Sequence, residues 1–297
     1  MKLFVILLFA ATYVAMIALP KWRYIVALAS AAIMIVSGAL PAAEAFGQID
    51  WNVLMMLAGT MGTVSLFIAS RMPERMADLL LKKTPNIMWV AVALSVFAGV
   101  VSAFVDNVAT VLMVAPVALA IATKLGTSPV PLLICIAVSS NLQGAATLVG
   151  DTTSIMLGGA ADMNFVDFIF MDGKPGIFWA VELGALATVP VIMFIFRKER
   201  GRVAVGEPAK VEDYVPSVLL LGTVVLLIAA SFVPERPALT NGFICMGVFV
   251  IGMIYTLCKK RGELVKNALT EIDFQTLLLL AGLFIVIGSL TYNGIID

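Results

Sequence analysis

Two polar islands interrupt long apolar stretches, and their residue types suit the handling of a cation or a proton. The first is Asp106-Asn107, within SAFVDNVATVLMVAPV (102–117), with Thr110 one helical turn further on. The second, SSNLQGAATLVGDTTS (139–154), supplies Asn141, Gly144, Thr147, Gly150, Asp151 and Ser154. Asp106 and Asp151 are the candidate ion- or proton-binding carboxylates. Asn107, Asn141, Thr147 and Ser154 offer neutral oxygens. A carboxylate removed from water without a partner holds its proton more tightly, which suits it to proton exchange. The chain contains no histidine, so His-based metal sites and imidazole relays are excluded and carboxylates remain as the proton carriers. No cofactor is expected, and no metal beyond Na+ at these same residues.

The elements that must hold these residues are set by composition. Of 297 residues, 61% are hydrophobic and 13% charged, and the mean hydropathy is +1.05. A soluble domain has roughly 45–50% apolar and about 25% charged residues, so the expected class is an all-α polytopic membrane protein with the lipid bilayer as its partner. The formal net charge is zero and no basic tail is present, which gives no footing for nucleic acid. Cys135, Cys245 and Cys258 are scattered in or beside apolar runs and suggest packing, with no disulfide framework. Residues 3–19 resemble a signal sequence, but Pro20-Lys21-Trp22-Arg23 is no small-residue cleavage site, so a first membrane helix is expected.

A crossing helix needs about 20 apolar residues, which predicts spans at 3–19, 24–40, 51–70, 177–196, 215–233, 239–257 and 274–290. Prolines 20, 41, 85, 129, 131, 175, 216 and 234 fall at span ends. The apolar run 131–138 is too short to cross, since eight residues rise only ~12 Å as helix. The polar centre after it is therefore expected near mid-depth, on a broken helix at 130–163, where freed backbone must be buried or line a wet cavity. The competing placement is an ordinary kinked helix. For Asp106 two placements fit: a tight external turn after 87–105, or the tip of a re-entrant hairpin at 86–124.

Lys and Arg set orientation. The loops 71–85, 197–214 and 258–271, with Lys21, Arg23 and Lys124, hold sixteen of the 19 basic residues, and one threading makes all of them cytoplasmic. Segment 71–83 reads as an amphipathic helix on that face. A repeat is also present: Ile49-Asp50-Trp51…Ala58-Gly59 aligns with Ile272-Asp273-Phe274…Ala281-Gly282, offset by 223. The two copies run in opposite directions, the pattern of inverted-repeat secondary transporters. At that offset the counterparts of Asp106 and Asp151 fall beyond Asp297, so the sequence is expected to hold one repeat and only the start of the second, as a fragment or as a natural half. The expected organisation is first scaffold helices with the amphipathic segment (1–83), a transport-type core (84–171), a helix and basic loop (172–214), and the start of the second repeat (215–297).

Asp106-Asn107-Val108-Ala109-Thr110, followed by Ser140-Asn141…Gly144…Thr147-Leu148-Val149-Gly150-Asp151, resembles the signatures of the ion transporter superfamily. The nearest branch is the citrate-transporter-like one, with arsenite-pump (ArsB) relatives, NhaD-type sodium–proton antiporters and the P protein. The resemblance implies a re-entrant hairpin and an unwound helix meeting at mid-membrane in each half, within a homodimer, and so places Asp106 at the hairpin tip. Ala109, Gln143 and Thr152-Thr153-Ser154 depart from the branch's usual Asp-Asn-Val-Thr-Thr, glycine and Gly-Asp-Pro-Pro-Asn.

The reading favoured is a secondary active transporter of the plasma membrane, moving a small ion coupled to H+ or Na+ by alternating access; an added aspartate favours a cation over a permanent anion. The alternatives are a sodium- or proton-coupled permease for an oxyanion or carboxylate, such as arsenite or a citrate-like substrate, and an inactive half that needs another subunit. An intramembrane aspartyl protease would need glycine where Leu148 stands before Val149-Gly150-Asp151. The 16 methionines read as packing, and Gly158-Gly159 as a helix contact.

Overall fold

Within lipid, backbone N–H and C=O groups must be satisfied inside their own segment, so the apolar runs of this chain fold as helices. The computed structural model describes residues 1–82, 84, 86–125, 128–197, 209–233 and 237–296. Lys83, Pro85, Lys198, Arg200, Arg202 and Pro234, used above for span ends and loop charge, lie outside the described residues. The helices in chain order are α1 (Lys2–Ala18), α2 (Arg23–Val36), α3 (Ala42–Ala45), α4 (Trp51–Ala69), α5 (Met72–Leu81), α6 (Ile87–Ser102), α7 (Asn107–Leu125), α8 (Val130–Gly144), α9 (Thr152–Ala160), α10 (Ile177–Ile195), α11 (Val215–Ser231), α12 (Thr240–Cys258), α13 (Gly262–Thr270) and α14 (Phe274–Tyr292). Helices α4, α10, α12 and α14 have 19 residues each and are apolar enough to cross a membrane, at about 28 Å of rise. Helices α1 and α2 meet at a 115° bend across Pro20–Trp22. The protein is an all-α, multi-pass membrane protein.

The repeat is visible in the packing. Asp50 caps the first turn of α4, accepting a hydrogen bond from Val53 N at 3.0 Å. Its repeat partner Asp273 caps α14, accepting from Thr276 N at 3.0 Å. Helix α4 lies closely along α12, and α14 along α2. Each of these contacts is parallel: Asn52 bonds Gly242 near one end of α4, while Leu66 meets Gly252 towards the other. A Cβ on Gly59 would run into the Cys245 and Met246 backbone, and one on Gly282 would lie 2.8 Å from the Ala27 carbonyl carbon. Small residues thus let backbones touch at equivalent points of both copies, the usual basis of helix association in lipid.

The basic loops meet on one face. Arg75 donates to Ala209 O at 3.4 Å, and Ala209 N to Asp78 at 2.8 Å. Glu212 N bonds Ser70 O at 3.0 Å, while Tyr255 reaches Asp213 at 3.0 Å. Segment 209–213 therefore joins α5 and the end of α4 to the end of α12.

Two local elements differ from the sequence reading. The loop 258–271 contains α13, which buries Val265 and Ala268 and packs on α4; its charged face hid its apolar one. The acidic stretch around Asp172 forms a hairpin of β1 (Phe170–Met171) and β2 (Lys174–Pro175). Asp172 and Gly173 both have positive φ, the signature of an Asp-Gly turn.

Candidate ion-binding site

Helix α6 ends at Ser102, and after four intervening residues α7 begins at Asn107, directly after Asp106. The Asp106 carboxylate accepts hydrogen bonds from Val108 N at 3.0 Å and Ala109 N at 3.1 Å. It thereby satisfies two of the amides a helix leaves unpaired at its start. The outcome is a helical hairpin, α6–α7, with Asp106-Asn107 at its turn.

Helix α8 ends at Gly144 and α9 starts at Thr152, so 145–151 is not helical. The interruption is buried: Ala146, Thr147, Leu148 and Val149 are each at most 4% exposed. Its polar groups are tied to the hairpin and to each other. The Thr147 hydroxyl donates to Ala103 O, and Ser154 Oγ to Gly144 O at 3.2 Å. Gly150 packs where a Cβ would stand 2.6 Å from Gly144 O and 2.7 Å from Ser102 O, so only glycine fits without displacement. Asp151 then restarts the helix, with Oδ1 accepting from Thr152 N at 2.7 Å and Oδ2 from Thr153 Oγ1 at 2.9 Å.

The two islands touch. Asn107 Nδ2 donates to Asn141 Oδ1 at 2.7 Å, and Ser140 Oγ to Asn107 O at 3.1 Å. Asp106, Asn107 and Asp151 line one cleft of about 650 Å³, with Asn141 bonded to its edge. Of the other candidate residues, Thr110 is fully buried and Gly144, Thr147, Gly150 and Ser154 pack behind the cleft, holding hairpin and interruption together.

Residues that sequence reasoning did not place there share the cleft: Asp273 and Thr276 at the start of α14, Glu271 just before it, and Ser65 on α4. Asp273 was legible only as a repeat marker. The cleft thus gathers the N-termini of α7, α9 and α14, each capped by its own aspartate, and adds Glu271. No Lys or Arg lines it among the described residues. Three of the four acids therefore sit at helix N-termini that open on a common space. Among the described residues no three acids or cysteines group closely enough to chelate a metal. The arrangement suits a loosely held, exchangeable cation or proton.

Comparison with known proteins agrees with this architecture. Residues 6–297 match the family described as CitMHS, citrate transporter. An uncharacterized transporter of Mycobacterium tuberculosis (strain CDC 1551 / Oshkosh) is 30% identical over 281 residues, covering 92% of this chain and 64% of that protein. The magnetosome protein MamN of Magnetospirillum gryphiswaldense is 26% identical over 310 residues, 97% of this chain and 67% of MamN. The P protein of Mus musculus is 26% identical over 172 residues, 57% of this chain and 21% of that protein. The chain spans 64% of the length of the mycobacterial relative. It belongs to the citrate transporter family.

Proposed function

We propose that this member of the citrate transporter family carries one repeat, and the start of another, of a secondary active transporter that moves a small cation coupled to H+ or Na+. The carrying observation is the convergence of Asp106, Asp151, Asp273 and Glu271 on one cleft without a basic residue among its described lining. A monovalent anion about 10 Å from each acid would be repelled by roughly 1.7 kcal/mol per acid at an effective dielectric constant of about 20. Four such terms weigh against a bare anion and favour a cation or proton. In this reading Asp106 and Asp151 bind the ion, with Asn107 and Asn141 supplying neutral oxygens. The α6–α7 hairpin is re-entrant and moves with the interrupted helix during alternating access. The basic face is cytoplasmic, the membrane is the plasma membrane, and the assembly is a homodimer in which further sequence completes the second repeat.

The family description favours a second reading, a permease for a carboxylate or oxyanion driven by the same ions. The acidic cleft then requires the substrate to enter with protons or cations that offset its charge. Membership in a transporter family favours transport over proteolysis for the two aspartates. Uptake by proteoliposomes holding the full-length gene product separates the readings: sodium, arsenite and citrate are compared under an imposed pH gradient. Sodium or proton flux without added carboxylate supports cation transport. Flux that requires citrate or arsenite supports the permease.

A further inference from the structure

Helix α10 is the crossing helix that the rest of the chain covers least. Only 11% of its apolar stretch is buried, against 56%, 39% and 33% in α4, α12 and α14. Trp179, Leu183 and Leu186 are exposed at i, i+4 and i+7, so they share one uncovered face. Nineteen residues rise about 28 Å, close to the roughly 30 Å of the hydrocarbon layer. Trp179 is the third residue of α10 and stands only about 3 Å along it, at the level of the headgroup boundary.

The β1–β2 hairpin directly precedes this helix. Its register pairs Phe170 with Pro175 and Met171 with Lys174. Residues directly opposite in a ladder project to the same side, and neighbours along a strand to opposite sides. One side of the hairpin is therefore Phe170 and Pro175, and the other Met171 and Lys174, with Asp172-Gly173 at the tip. All six residues are exposed. The apolar side continues the uncovered face of α10: the Phe170 ring lies 5.9 Å from that of Trp179, and Phe178 meets Trp179 edge-on at 5.5 Å. The root of the hairpin is fixed. Phe168 is fully buried, Gly176 N donates to Ile169 O, and Phe178 N to Phe168 O, each at 2.9 Å.

We propose that the hairpin and the start of α10 form an anchor in the lipid interface. Phe170, Pro175 and Trp179 enter the boundary between headgroups and acyl chains, while Met171, Lys174 and the Asp172-Gly173 tip face water. Two-faced elements of this kind lie about 5–10 Å into that boundary. The partner is lipid because the patch is continuous with the uncovered side of a crossing helix, and because aromatic rings at helix ends favour the headgroup layer. The anchor also sets the level of α9. The connector between α9 and the hairpin is closed by short bonds, from Met163 N to Gly158 O at 2.8 Å and from Asn164 N to Asp167 Oδ2 at 2.7 Å. This role is independent of which ion or substrate is carried.

Fluorescence quenching of single-tryptophan variants tests the two faces separately. In the full-length protein in nanodiscs, Trp22, Trp51, Trp89, Trp179 and any tryptophan beyond Asp297 are replaced by phenylalanine, and one indole is returned as Phe170→Trp or as Met171→Trp. The nanodisc lipid carries bromine either near the headgroup end of its chains or near their ends, and iodide probes access from water. For Phe170→Trp, headgroup-proximal bromine should quench at least about twofold more than bromine at the chain ends, as insertion into the boundary requires. For Met171→Trp, iodide should quench at least about twofold more than it does for Phe170→Trp, as a water-facing side requires. A third protein, with Trp22→Phe, Trp51→Phe and Trp89→Phe, keeps Trp179 and leaves the hairpin unaltered; it should show the same preference for headgroup-proximal bromine. Quenching of Phe170→Trp by iodide alone would place the hairpin in water. Quenching by neither agent would mean that protein, such as a second copy of the chain, covers it. Equal bromine quenching at positions 170 and 171, or none at Trp179, would remove the two-faced insertion. Each of these results overturns the anchor.

Discussion

Asn107 at the turn of the α6–α7 hairpin donates a 2.7 Å hydrogen bond to Asn141, one turn before α8 gives way. Two residues 34 positions apart are thereby made one unit, and the bond from Ser140 to the Asn107 carbonyl at 3.1 Å doubles the link. Hairpin and interrupted helix are coupled at the cleft rather than at their remote ends.

That coupling is measurable by a double-mutant cycle. Asn107→Ala and Asn141→Ala should each weaken the apparent affinity for the transported ion about tenfold. The double variant should be no more than about twofold worse than either single one, because both remove the same bond, worth about 1 kcal/mol. Additive losses in proteoliposome flux would mean that the two amides act separately.

Gly150 packs against the carbonyls of Gly144, Ser102 and Ala103, so an added methyl must push the interruption off the hairpin. Gly150→Ala is expected to destabilise by about 1–3 kcal/mol, the usual cost of overpacking, with loss of transport. Gly222, whose Cβ would meet nothing within 4 Å, is the control. Gly222→Ala should change stability by less than about 1 kcal/mol. Thermal unfolding in detergent distinguishes the two.

If Gly59 and Gly282 occupy equivalent positions in the two repeats, equal insults should give equal effects. Each backs onto the main chain of its neighbour, Cys245 for Gly59 and Ala27 for Gly282. Gly59→Val and Gly282→Val should each lower the thermal midpoint by several degrees, and to a similar extent, on the scale of a 1–3 kcal/mol overpacking cost. A large loss at one position with none at the other would argue against equivalent packing.

Much of this was legible in the sequence because lipid leaves few options. Apolar runs of helical length had to be helices, and the eight apolar residues before Ser139 were too few to cross, so a break was expected within 130–163; that it falls between Gly144 and Thr152 came from the structure. The Ile-Asp openings at 49 and 272 disclosed the repeat. Less legible was whatever depends on folding between distant segments. Asp273 stands 122 positions from Asp151, and nothing local to it shows that it shares a cleft with Asp106. Helix α13 was obscured because Val265 and Ala268 are a narrow apolar stripe among charges. The bond from Gly242 N to Asn52 likewise required α4 and α12 to lie side by side.

The most direct test of the ion-binding assignment is coupled flux through the full-length protein in proteoliposomes, comparing Asp106→Asn and Asp151→Asn with the unaltered sequence. Asparagine preserves both helix caps, so protein yield and thermal midpoint should stay close to those of the parent while ion-driven flux falls to background. Flux at the parental rate from either variant would contradict the role given to these carboxylates.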